Sequence, residues 1–264
     1  MAAHRTSPHI DYVLHLADNA LVHGQRLSQW CSHGPVLEED IAMANIGLDY
    51  IGQARMLYQH AASLIGDTTE DQLAYFRDPE AFKNCVLLEL PHSTAYAPSV
   101  AAQRDYAVTI TRNFLYSSCM LLVWQSLAQS QDAQLAAIAG KSVKEVRYHV
   151  RHSTDWMLRL GDGTSESHMK MQKALNHLWP YTQELFIPTE YEIHAAAHAI
   201  GADLLALEND WQRNVRAVMV QATLQCPAQS GYRTQGKEGQ HSEHLSYLLA
   251  EMQSLARAHP EGVW

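Results

Sequence analysis

The chain has 264 residues, 47% of them hydrophobic and 18% charged, with a net charge of −9. That length can bury a sizeable core, and the acidic balance excludes nucleic acid and anionic membrane surfaces as natural partners. Glycine and proline are few and long amphipathic runs are many, so an all-α fold is expected.

The opening stretch lacks an apolar leader, and no run of about 18 apolar residues occurs, so a soluble cytoplasmic chain is expected. Cys31, Cys85, Cys119 and Cys226 lie far apart without a CxxC pair, which reads as free, buried thiols rather than a zinc site or disulfides.

Ser7-Pro8 opens a first helix that Gly34-Pro35 stops. The organising element follows, from Val36 to Gly66. Leu37, Ile41, Ala44, Leu48, Ile51 and Tyr58 form one stripe, and Met43, Tyr50, Ala54, Leu57 and Ala61 form a second. Two apolar stripes predict a helix buried on two sides. Between them runs a polar line, Asn45, Asp49, Gln53 and His60, expected to point at the middle of the protein.

Asp78-Pro79 predicts a short helix ended by Pro91, within an excursion between core helices. A third long helix is expected from about 99 to 130. Asp132 caps a fourth, which ends at Gly161-Asp162-Gly163. Further helices are predicted over the segment closed by Pro180, from Tyr191 to Ile200, from Leu204 to Ala222, and after Ser242 as cap. The expectation is one helical domain over 1–264, with a four-helix core at about 8–160 and additional C-terminal helices at about 165–258.

A di-iron bundle needs a Glu from each of two helices and a Glu-x-x-His from each of the other two. Only Glu89 and Glu238 have a His three positions on. The first pair, with His92, spans Pro91, and the second, with His241, sits in a glycine-rich loop. Glu145 is followed by Tyr148, with His149 one residue late. Asn45, Asp49, Glu145 and His149 therefore read as a buried polar network in place of a metal site, with an unusual metal site as the other reading. The run Gly231 to Lys237 fits the start of a phosphate-binding loop, but Glu238 stands where Ser or Thr must meet magnesium.

The runs from Ala17 to Arg55, Lys141 to Ser153 and Tyr232 to Gln253 resemble the C-subunit family of the bacterial phenylacetyl-CoA epoxygenases, also called ring 1,2-epoxidases. With the segment after Gly161 the likeness covers nearly the whole chain. The resemblance implies a ferritin-like four-helix bundle and a non-catalytic structural subunit of a monooxygenase complex in phenylacetate catabolism. Such a subunit has no cofactor of its own. It supports a catalytic A subunit that bears the di-iron centre and binds phenylacetyl-CoA, with a reductase among the further subunits. The resemblance also implies a contact with the CoA moiety at the subunit boundary. Phe82 and Asn84 match that pattern, while Lys83 differs in type but offers a charge suited to a CoA phosphate; ordinary first-turn residues after Pro79 are the other reading. The rival from another class is a free-standing ferritin-like di-iron oxidase or ferroxidase.

Overall fold

The computed structural model describes residues 7–94, 104–228 and 230–262. Its α-helices are α1 (Pro8–Ser28), α2 (Leu37–Ile65), α3 (Glu70–Tyr75), α4 (Tyr106–Leu127), α5 (Ala133–Gly161), α6 (Ser165–Leu178), α7 (Glu190–Ala197), α8 (Leu204–Gln221) and α9 (Glu243–Ala258). The described residues contain no β-strand, and an isolated bridge joins Gln235 to Gln240. The fold is all-α and fits the ferritin-like expectation.

Four long helices make the bundle, with α1 packed along α2 and α4 along α5. Helices α1 and α2 approach closely where both carry glycine. A Cβ on Gly24 would meet the Gly47 carbonyl at 3.1 Å and Ile51 Cδ1 at 3.0 Å, so a larger residue would push the pair apart.

Caps fix the helix starts as expected for α1 and α5. Ser7 accepts from the Ile10 amide behind Pro8, and Asp132 accepts from Gln134 and Leu135. Ser242 precedes α9 but makes no side-chain cap; its hydroxyl donates to Glu89 instead.

Three expectations are corrected. Helix α2 is not covered on both sides: Leu37, Ile41 and Leu48 are 72%, 53% and 67% exposed, because no described element of the chain lies over that stripe in its first half. The segment from Asp78 to Pro91 is not one helix but two single 3-10 turns, Pro79–Ala81 and Val86–Leu88. The third long helix starts at Tyr106, and the earlier part of its expected range falls largely outside the described residues. Of the cysteines, Cys85 and Cys119 are buried, whereas Cys31 is exposed.

Candidate functional site

Where a bundle of this kind would hold a metal, the four helices bring together His23 from α1, Tyr50 from α2, Asn113 and Tyr116 from α4, and His149 from α5. His23 Nε2 lies 3.2 Å from Asn113 Oδ1. Its ring packs edge-on against Tyr50 and Tyr116, at centroid distances of 4.7 and 5.1 Å, and Tyr50 lies 4.9 Å from the His149 ring. Burial beside the Arg112 charge lowers the His23 pKa to about 3, so this imidazole is neutral. Burial likewise raises the phenols of Tyr50 and Tyr116.

This donor set does not fit a di-iron centre. Two bridged irons need several inward carboxylates to neutralise their charge. Asp49 is the carboxylate paired with this group, and it sits at the edge, 37% exposed, held 2.9 Å from His149 Nε2. Among the described residues, no three His, Cys, Asp or Glu side chains gather within coordinating reach at the bundle centre. Among the described residues, His23 Nδ1, Tyr50 OH, Asn113 Nδ2 and His149 Nδ1 are buried without a protein partner, and of these the Asn113 amide nitrogen is a donor that cannot ligate a cation.

The polar line of α2 faces α5 rather than the bundle axis. Asp49 meets His149, Gln53 donates to Glu145 at 2.9 Å, and His60 meets Asp132 at 2.6 Å. Glu39 meets His152 at 2.8 Å nearer the start of the helix. The buried network expected of Asn45, Asp49, Glu145 and His149 is corrected accordingly. Asn45 is exposed and does not join, and Glu145 belongs to a separate rung with Gln53. His23, Asn113, Tyr50 and Tyr116 are residues that carboxylate–histidine spacing does not pick out. A signal for His23 exists in the sequence, since His15, Asn19 and His23 recur every four residues on the buried face of α1.

The excursion after α2 is anchored by two buried acids. Asp18 on α1 accepts from Tyr58 OH at 2.5 Å, from the Lys83 amide at 2.8 Å and from the Arg77 guanidinium. Glu89 accepts from Asn84 Nδ2, His241 and both the amide and hydroxyl of Ser242. Phe82 lies beneath the Arg77 guanidinium, 4.2 Å from its ring centroid, and is fully buried like Asn84. Lys83 is the member of this trio that reaches solvent, 24% exposed, with Nζ 3.5 Å from Asp11 and 5.2 Å from the Tyr191 ring centroid.

Lys237 of the glycine loop is 3% exposed. Its ammonium donates to Glu192 at 2.8 and 3.0 Å, and its amide donates to Glu184. A lysine sequestered in this way is unavailable to a nucleotide phosphate.

The family model described as phenylacetic acid catabolic protein matches residues 1–264. Over 253 residues the chain is 44% identical to the C subunit of the 1,2-phenylacetyl-CoA epoxidase of Escherichia coli strain K12, covering 96% of this chain and 98% of the relative. With a match of that extent and an all-α bundle to carry it, the chain belongs to the family of phenylacetic acid catabolic proteins.

Proposed function

We propose that this chain is the non-catalytic structural subunit of a phenylacetyl-CoA 1,2-epoxidase in phenylacetate catabolism, working in the cytoplasm beside a catalytic subunit that holds the di-iron centre. The observation that carries this reading is the bundle centre, where imidazole, phenol and carboxamide side chains stand in place of inward carboxylates. The likeness to the C subunit of an epoxidase supports the pathway. A free-standing di-iron oxidase finds no support in that donor set. Among the described residues no helix is long and apolar enough to cross a membrane.

The uncovered stripe of α2 supports the partner. Leu37, Ile41 and Leu48 lie within one face of α2, and Tyr148 of α5 is a further 41% exposed ring, packed against His149 and His152. Scattered exposed leucines are ordinary, but a contiguous apolar strip of this kind marks a contact surface. We place the catalytic subunit there, in an obligate-type interface of about 2,000 Å² or more. If the CoA moiety reaches this chain through the segment after α2, Lys83 is the side chain that meets its phosphates.

The test is co-expression with the cognate catalytic subunit. The two chains co-elute at high salt, since apolar burial survives charge screening, and phenylacetyl-CoA epoxidation is full only with this chain and the reductase present. Separate elution at micromolar concentration, with full activity from the catalytic subunit and reductase alone, refutes the reading.

A further inference from the structure

Away from the bundle centre, side chains from three helices meet. His9 lies in the first turn of α1, His60 in the C-terminal part of α2, and Asp132 is the N-cap residue of α5. Both imidazoles present Nε2 to the same oxygen. Asp132 Oδ2 is 2.8 Å from His9 Nε2 and 2.6 Å from His60 Nε2. One ligand atom from each residue lies within 4.8 Å of the other two, an arrangement found once among the described residues. The side chains of His60 and Asp132 are 7% and 8% exposed, while His9 keeps 26% and opens the trio to solvent on one side.

Helix capping does not account for this convergence. The cap uses the other carboxylate oxygen, Oδ1, which accepts from the amides of Gln134 and Leu135. Ser130 Oγ accepts from the Asp132 amide and donates to the Ile200 carbonyl, which fixes the backbone that presents the carboxylate. Oδ2 is left to two imidazoles at once. Without an ion each Nε2–H donates to Oδ2; taking up a cation moves that proton to Nδ1, which in neither ring is among the buried atoms without a partner, and turns the Nε2 lone pair to the ion.

We propose that His9, His60 and Asp132 form a binding site for a divalent transition-metal cation of the zinc class, with water completing the coordination. Two imidazole nitrogens and one carboxylate oxygen are the ligand types that zinc takes when a position stays open, whereas magnesium and calcium require oxygen throughout. The positive N-terminus of α5 opposes a cation, so the affinity falls in the micromolar range rather than that of a closed four-ligand site. The hydrogen bonds to Oδ1 orient the carboxylate as outer-sphere partners orient ligands in other zinc sites. A bound ion would tie α1, α2 and α5 together at one point.

The test titrates zinc chloride into the untagged full chain at neutral pH by calorimetry, with metal content measured after dialysis at buffered free zinc. The expected result is about one zinc per chain. Asp132→Asn retains the cap, because asparagine is an equally good N-cap residue, yet removes the anionic ligand and weakens binding at least about tenfold. His60→Gln and His9→Gln each abolish stoichiometric binding, while circular dichroism of the metal-free variants matches the parent. Cobalt(II) loaded in place of zinc gives the intense visible bands of a low-symmetry site, and these vanish in His60→Gln. Zinc uptake far below stoichiometric, or uptake equal in the parent and all three variants, overturns the proposal.

Discussion

Lys237 and Glu192 form an ion pair almost sealed from water, and their energetics follow from that isolation. Burial works against both charges, but mutual attraction outweighs it, holding the Glu192 carboxyl below and the Lys237 ammonium above their ordinary pKa values. Removing one partner strands the other. Lys237→Met is therefore expected to cost about 3–5 kcal/mol in denaturant unfolding, whereas adding Glu192→Gln, which removes the stranded charge but keeps an acceptor for the α7 capping box with Thr189, recovers part of that loss. The histidines set pH limits in opposite directions. His23 is buried and neutral with its pKa at about 3, so its contribution is present above the unfolded value of about 6.5 and is lost as pH falls toward 3. Burial disfavours the charged form of His241, but the Glu89 carboxylate and the Phe82 carbonyl outweigh it and raise the pKa. Its contribution is complete below about 6.5 and is lost as pH rises through the raised value. His241→Gln should flatten that alkaline decline in melts run from about pH 6 to 9, and an unchanged decline in the variant contradicts this assignment.

At the scale of the element, α2 shows what a periodicity argument reveals and what it misses. Its start, its length, its glycine stop and its inner stripe of Met43, Tyr50, Ala54 and Leu57 are legible, because helical spacing repeats over about eight turns. Which of two apolar stripes is covered is not legible, since that depends on where other helices end in space. The polar line is legible as a face but not in its direction, because Gln53 and His60 find partners on α5 and its cap rather than on the axis. The excursion misleads for a related reason: its turns follow the buried acids Asp18 and Glu89, whose partners lie far away in sequence. The uncovered stripe gives its own test. Leu48→Asp, on a 67% exposed position, should change the stability of the isolated chain by no more than about 0.5 kcal/mol. The same substitution should abolish co-elution with the catalytic subunit, and retained co-elution would place the partner elsewhere.

For the whole molecule, the four-helix bundle brings imidazole, phenol and carboxamide side chains to its centre among the described residues, with Asp49 at the edge. The absence of helical Glu-x-x-His pairs is visible in sequence, since a motif defined by spacing can be searched exhaustively. The side chains that occupy the centre are not visible there, because His23, Asn113 and Tyr116 are joined only by the packing of α1 against α4. On the reading proposed above, this centre does not assemble two irons, and iron content decides the matter. The chain carrying His60→Gln, which removes the peripheral trio from the measurement, is incubated anaerobically with ferrous salt, oxidised, desalted and analysed for iron. The expected result is well under one iron per chain and no near-ultraviolet band of an oxo-bridged pair; about two irons per chain with that band would show that the centre assembles the metal pair after all.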